Sequence, residues 1–408
     1  MNVIPRPYYL TALTQFRDTE ALVKVISGVR RCGKSSLLDL YRDYLLGDGV
    51  QESSILMLNF ESLELSHIDS AQSLNDHVAA HEFGDGKRYI FLDEVQLVPG
   101  WERAVNSLRL DVRNDIYVTG SNSRLLSSDL ASLLSGRHVQ IEVFPLSFAE
   151  YCTFRGPQAT VRPATAFNDY LSSGGLPGQF ALHDDPTVRA QYIDAVLNTI
   201  VTKDIVAPQK VRDVDALLKI VRYLTANVGN LITAKGVADY LRSSGRRISN
   251  DTVDNYLTLL EEAYLFYRAK REDVKDKSIM KTNDKFYVVD LGFRTIAQGL
   301  GTSDLGRLLE NVVYFELLRR HSRVSVGKFN AEEIDFVTFD PLKGTAYFQV
   351  ALTMNDDATR DRELRPLLKL NDSYPKTVLS LDEVRTPDFN GIRHENLVDW
   401  LLTSQPGY

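Results

Sequence analysis

The 408-residue chain lacks most of what would place it outside a cell or in a bilayer. Two cysteines, Cys32 and Cys152, are too few for a disulfide framework. The opening residues, Met1-Asn2-Val3-Ile4-Pro5-Arg6, have no apolar stretch of signal-peptide type. No segment approaches the roughly 18 uninterrupted apolar residues that a membrane span needs. These absences predict a soluble protein in a reducing cytoplasm, with no membrane partner. An excess of basic charge is missing too. The 47 Lys and Arg face 54 Asp and Glu, for a net charge of −7, which excludes a wholly basic nucleic-acid coat and confines any DNA contact to a local patch. The length is too great for one ordinary core, and at about 150 residues per domain it predicts two to four units.

What is present begins with a short apolar strand, Val23-Lys24-Val25-Ile26-Ser27, and the opening of an amphipathic helix, Lys34 to Tyr41. Between them lies Gly28-Val29-Arg30-Arg31-Cys32-Gly33-Lys34-Ser35, followed by Ser36. This fits G-x-x-x-x-G-K-[ST] in the strand-to-helix setting that the motif requires. Its glycines let backbone N–H groups and the helix N-terminus surround phosphates. The spacing predicts binding of ATP with Mg²⁺, with Lys34 on the β- and γ-phosphates and Ser35 on the cation. A second apolar strand, Tyr89-Ile90-Phe91-Leu92, carries its acids only at its C-terminal end, Asp93 and Glu94, where open α/β sheets bind ligands. Asp93 fits the residue that holds the Mg²⁺ shell, and Glu94 the base that activates water.

A third strand, Ile116-Tyr117-Val118-Thr119, ends in Gly120-Ser121-Asn122-Ser123. Ser121 or Asn122 could bond the γ-phosphate or the attacking water; the plain alternative is a polar turn. A helical stretch from Leu125 to Leu134 stops at Ser135-Gly136-Arg137, before a strand from His138 to Val143. Alternating strands and helices predict a parallel, doubly covered sheet. The order of loop, Asp-Glu strand, polar-ended strand and Arg before the last strand resembles the AAA-type ATPases. The resemblance implies that Arg137 acts as an arginine finger in a neighbouring subunit's site, hence a homo-oligomer forming a hexamer-like ring or spiral; the plain alternative is that Arg137 only caps the helix end at Gly136. It also likens Ser173-Gly174-Gly175-Leu176-Pro177-Gly178 to the Gly-x-Pro segment of a helical lid, which would put Pro177 near the adenine; a plain loop fits equally.

Further on, helical patterns at Asp215 to Ala226, Thr233 to Leu241 and Asn250 to Leu260, then a possible wing strand from Tyr264 to Arg271, resemble a winged helix-turn-helix. Lys235, Arg242, Arg246 and Arg247 surround the presumed recognition helix and make the local basic patch that DNA-backbone binding needs. The alternative is a small bundle that transmits lid movement or packs on a protein. The last third, from Lys285 through a helix at Gly306 to His321 and segments at Ala331 to Val337 and Ala346 to Ala351, resembles the restriction-endonuclease-type fold. Glu310 and Asp335 match its acids, but Gln349 and Ala351 stand where a metal-binding acid and a lysine would be, so the resemblance implies an inactive nuclease.

The whole chain resembles bacterial and archaeal ATPases in which an AAA-type domain precedes a domain of unknown function with an endonuclease-like fold. The expected architecture is α/β throughout: an AAA-type P-loop core at 1–155, a helical lid at 156–212, a winged helix-turn-helix at 213–284 and a restriction-endonuclease-like domain at 285–408. The expected activity is ATP hydrolysis coupled to binding or remodelling of duplex or branched DNA. The competing expectation is a nucleotide-dependent switch whose C-terminal half binds a protein.

Overall fold

A computed structural model describes residues 4–19, 22–123, 134, 136–276, 278–280, 283–299, 305–383 and 388–403. They divide into two compact units. The first holds the residues up to Pro145 together with Glu262–Tyr264, and the second holds Leu146–Glu261 and the chain from Leu265 onward.

In the first unit, β1 (Val23–Ser27), β2 (Ile55–Asn59), β3 (Arg88–Asp93), β4 (Asn114–Gly120) and β5 (His138–Glu142) form a sheet in the order β2-β3-β4-β1-β5. Every pairing in it is parallel. The inner strands β1, β3 and β4 are buried almost end to end, as near-continuous Val, Ile, Phe and Leu runs covered on both faces must be. Lys24 is the exception within β1, and its buried ammonium pairs with Asp115 of β4, which also accepts the Tyr117 hydroxyl at 2.8 Å. Helices α1 (Pro7–Gln15), α2 (Lys34–Gly47), α3 (Ala71–Ala80) and α4 (Trp101–Leu108) belong to this unit. In α2 the buried Leu37, Leu38, Tyr41 and Leu45 recur at helical spacing and define its core face. Because all five strands run the same way, the segments after β1, β3 and β4 emerge along one edge. The helix expected at Leu125 to Leu134 lies outside the described residues, apart from buried Leu134.

The second unit opens with α5 (Phe148–Arg155), α6 (Pro163–Ser173) and α7 (Pro186–Thr199). Then come α8 (Val214–Ala226), β6 (Leu231–Ile232), α9 (Ala234–Ser243), α10 (Asn250–Glu262), β7 (Phe266–Ala269), β8 (Arg271–Asp273), β9 (Ser278–Ile279) and β10 (Asp284–Val288). Two expectations are corrected here. The segment from Tyr264 to Arg271 is not one wing strand: the ladder breaks at Lys270, so that β7 joins a three-stranded sheet β6-β10-β7 while β8 runs parallel to β11 (Arg323–Phe329) in another. Nor does Lys285 to Val288 head the last domain, because β10 is the central strand of that small sheet, hydrogen-bonded on both sides. The chain continues through α11 (Leu291–Gln298) and α12 (Leu305–Arg320). An eight-stranded sheet completes the unit, with β12 (Glu332–Asp340), β13 (Gly344–Val350), β14 (Lys376–Ser380), β15 (Asp388–Phe389) and β16 (Ile392–Asn396) in the order β15-β16-β14-β13-β12-β11-β8-β9. Helices α13 (Asp357–Leu368) and α14 (Leu397–Leu402) accompany it.

Candidate functional site

The loop from Gly28 to Ser35 leaves the C-terminal end of β1 and ends as α2 begins. Its glycines are required by geometry. A Cβ on Gly28 would stand 2.1 Å from the Val143 carbonyl oxygen, and Gly33, the residue before α2, has φ 102°. Arg31 takes the left-handed region with φ 67°, a conformation that costs energy and gathers at functional sites. Lys34 is buried and donates from Nζ to the carbonyls of Gly28 at 2.9 Å and Val29 at 3.2 Å, so its ammonium lies across the loop. Cys32 is fully buried, and burial pushes its thiol above its ordinary pKa, so only its backbone can face a ligand. Ser35 and Ser36 are exposed on the first turn of α2, and Arg30 pairs with Glu61 at 3.3 Å.

Asp93 and Glu94 lie at the same edge, at the end of β3, and both are buried. Glu94 also has left-handed backbone, φ 53°, and its Oε2 accepts from the Gln96 amide. A residue that the sequence analysis named only as a strand end, Thr119, holds the pair together. The Thr119 hydroxyl donates to Asp93 Oδ1 and accepts the Glu94 backbone N–H at 2.9 Å. Parallel pairing of β3 with β4 makes this possible, since Leu92 sits beside Val118 and the next residues face each other. A polar residue closing the apolar run Ile116-Tyr117-Val118 was the available signal. Ser121 is buried and Asn122 half-buried in the turn just past β4, on the same edge as Gly28.

The donor set fits a magnesium-bound triphosphate. A loop that only glycine can build, a helix N-terminus, a lysine on the loop and a buried carboxylate with lone pairs beyond the one Thr119 uses are the groups such a ligand needs. Arg137 is elsewhere. It precedes β5, its carbonyl accepts the Val23 N–H at 3.0 Å, and it is exposed at the N-terminal edge, opposite its own loop. Buried Arg109 is nearby, its pKa lowered by burial and then by the Arg137 charge.

In the second unit, the double glycine of the Gly-x-Pro segment has an internal explanation. Asp290, wholly buried, accepts the N–H of Gly175 at 2.7 Å and of Gly292 at 2.8 Å, and a Cβ on Gly174 would stand 1.7 Å from its Oδ1. Pro177 opens the short turn that follows. The nuclease-like residues do converge. Glu310 of α12, Glu333 and Asp335 of β12 and Gln349 of β13 meet around Lys285 of β10. Its Nζ is 3.0 Å from Glu310 and 2.9 Å from Glu333. Asp335 accepts the Val350 N–H at 2.8 Å, while Gln349 accepts the Asp335 N–H and donates to Glu363 at 2.8 Å. Burial works against the Lys285 charge, but Glu310, Asp335 and Glu333 outweigh it and raise its pKa. An ammonium thus sits among the acids, and no group of three or more His, Cys, Asp or Glu among the described residues could hold a metal ion. The Lys285 that opens the apolar run Phe286 to Val289 was the signal that sequence reading passed over.

The basic set is split by the structure. Lys235 and Arg247 are exposed, and exposed Arg242 pairs with Asp239 at 3.1 Å. The Arg246 guanidinium lies 2.7 Å from both Asp213 and Asp215, at the start of α8. Among the described residues, no helix is long and apolar enough to cross a membrane.

Comparison with known proteins adds to this geometry. Residues 20–152 match the family described as an AAA domain, and residues 164–304 match a domain of unknown function (DUF8612). An uncharacterized protein of Haemophilus influenzae is 38% identical over 402 residues, covering 98% of this chain and 99% of its own. An uncharacterized protein of Methanocaldococcus jannaschii is 29% identical over 377 residues, covering 89% and 80%. Among solved structures, a Walker-type ATPase of Pyrococcus abyssi superposes with a TM-score of 0.50 at 14% identity, over 72% of this chain and 96% of its own, a likeness of fold alone.

Proposed function

The chain belongs to the family of the Haemophilus influenzae protein, with an AAA domain in its N-terminal half, and we propose that it hydrolyses ATP at the edge formed by β1, β3 and β4. The observation that carries this reading is the single Thr119 hydroxyl that joins Asp93 to the Glu94 backbone beside the Gly28 to Ser35 loop. In the proposed site, backbone N–H groups from Gly28 to Ser36 surround the phosphates and Lys34 neutralises their charge. Ser35 and Asp93 would hold Mg²⁺, which supplies further neutralisation of phosphate charge when bound. Glu94 takes the proton of the attacking water, with Asn122 near the γ-phosphate. The test is a pair of substitutions. Lys34→Ala should abolish turnover, whereas Glu94→Gln should retain bound ATP uncleaved, because the lysine acts in ground and transition states and the carboxylate only as water attacks. Near-normal steady-state hydrolysis by Glu94→Gln removes that residue from the role.

Within the same proposal the protein assembles into a ring or spiral, with Arg137 serving a neighbour, and its second unit holds DNA through Lys235, Arg242 and Arg247 on a winged helix-turn-helix. A second reading, a nucleotide-dependent switch that binds a protein, is favoured by one observation. The exposed face of α10 presents Asp251, Asp254, Asn255 and Thr258, two carboxylates and no cation. Duplex or branched DNA that stimulates the ATPase, with binding that weakens at a salt slope of roughly −3 for three phosphate contacts, supports the DNA reading. Salt-independent ATPase with no DNA effect supports the switch.

A further inference from the structure

The segment before α1 reaches into the nucleotide loop. Arg6 is buried, and its guanidinium forks between two backbone carbonyls, donating from one terminal nitrogen to Cys32 at 3.0 Å and from the other to Phe144 at 3.0 Å. Tyr9, on the first turn of α1, lies under that guanidinium at 4.4 Å from its ring centre, and its hydroxyl accepts the Phe144 N–H at 3.0 Å. Val143 and Phe144, which follow β5, are the wall against which the loop is built. Val143 donates to the Ser27 carbonyl at 2.8 Å, and its own carbonyl is the atom that a Gly28 Cβ would strike.

We infer that Arg6 is a positioning residue for the phosphate loop, tying its turn at Cys32 to the β5 wall so that the loop's N–H groups are aimed before a nucleotide arrives. The physical step is the planarity of the peptide bond. In a trans peptide the C=O and N–H point in opposite directions, so holding the Cys32 oxygen against Arg6 turns the Gly33 N–H away from it. Gly33 is the residue before α2, where orphan N–H groups form the anion-binding end of the helix. The planar guanidinium suits this task because its fork reaches two carbonyls in fixed geometry, which a lysine ammonium on a flexible stem does not. Aromatic packing from Tyr9 holds the fork in place. A loop tied in this way needs less rearrangement to bind, because apparent affinity scales with the fraction of molecules already in the binding geometry.

The inference rests on the nucleotide reading of the site, and the experiment separates the two. In nucleotide-free protein, amide hydrogen exchange of peptides spanning Gly28 to Leu37 should be about 10-fold faster in Arg6→Met than in the parent, and intermediate in Arg6→Lys, which keeps the charge but not the fork. With ATP, Arg6→Met should raise KM about 10-fold while kcat at saturation stays within about 2-fold, since the arginine aims the loop without touching the reacting atoms. Tyr9→Phe, a milder change that removes the hydroxyl accepting the Phe144 N–H, should shift both readouts in the same direction by less and covers the case in which Arg6→Met does not fold. Unchanged exchange and unchanged KM in folded Arg6→Met or Tyr9→Phe protein overturn the inference. A loop that loosens in Arg6→Met while the parent neither binds nor hydrolyses ATP upholds the clamp and overturns the nucleotide reading instead.

Discussion

Thr119 illustrates how much one hydroxyl decides at the candidate site. It satisfies a buried carboxylate oxygen and a buried backbone N–H on two successive residues, Asp93 and Glu94. Leaving such buried groups without partners costs about 1–3 kcal/mol each. Glu94, already in left-handed backbone, depends on that bond to keep its place. Thr119→Val preserves the branched shape required in an inner strand but removes the hydroxyl. It should lower kcat roughly 10- to 100-fold, the rate equivalent of about 1.4 to 3 kcal/mol, and lower the thermal midpoint, while Thr119→Ser should restore most of both. Steady-state hydrolysis and a melting curve on the three proteins check this. Parent-like turnover by Thr119→Val sinks the assignment.

At the scale of elements, the second unit contains two polar arrangements in which a buried group on one segment replaces a feature expected from another. The first joins the Gly174-Gly175 turn to the start of α11 through Asp290. Burial raises this carboxyl from 3.8 to about 6, against the lowering by N–H groups of Gly175, Gly292 and Leu176. A folded state that holds the proton more tightly than the unfolded chain is favoured by it below about pH 4 and loses that advantage as the pH rises through about 6, with no further change above. The difference between the two pKa values corresponds to at most about 3 kcal/mol. Relative to Asp290→Asn, the parent should therefore lose stability between about pH 4 and 6.5, measured as the difference in thermal midpoints. An equal difference at both ends of that window removes Asp290 as the titrating group. The second arrangement is Lys285 among Glu310, Glu333 and Asp335. With an internal ammonium among these acids, burial raising the pKa of Glu310 and Asp335, and Gln349 and Ala351 lacking the charge to bind a cation or polarise water, the protein with Mg²⁺ or Mn²⁺ should leave duplex, single-stranded and branched DNA intact. Cleavage that disappears on Asp335→Ala reverses that conclusion.

At the scale of the whole molecule, the question is whether one chain completes a site alone. Arg137 and the loop it is proposed to serve lie at opposite edges of the parallel sheet, separated along β1 by five residues, roughly 16 Å. A guanidinium there meets a phosphate loop only in another copy of the chain. An arginine supplied in this way is worth about 10³ or more in rate. Arg137→Ala and Lys34→Ala proteins, each inactive alone, should recover hydrolysis when mixed, because some interfaces then pair an intact loop with an intact arginine. Co-assembled mutants that remain inactive, or parent activity per chain that is unchanged on dilution to monomers, refute the trans role. Arg113, held by Asp111 at 2.6 Å, and Arg124, outside the described residues, would be tested next.

What could be read from the sequence alone was what neighbouring residues decide among themselves. Gly28 to Ser35 is legible because its glycine spacing reflects local backbone freedom next to a strand and a helix, and the apolar runs ending at Asp93 and Thr119 are legible because strands buried on both faces read as short continuous apolar runs. The same local signals located four helices of the second unit, α8, α9, α10 and α12, to within a few residues, but they could not tell which sheet a strand would join, as β8 and β10 show. Tertiary structure decided the remainder, since the pairs concerned lie far apart along the chain: Arg6 and Phe144 are 138 residues apart, Gly175 and Asp290 115, Thr119 and Asp93 26, Lys285 and Glu310 25. A single charged or hydroxyl residue carries no periodicity, and its partner is set by strand order and register, which arise only when the sheets close around their cores.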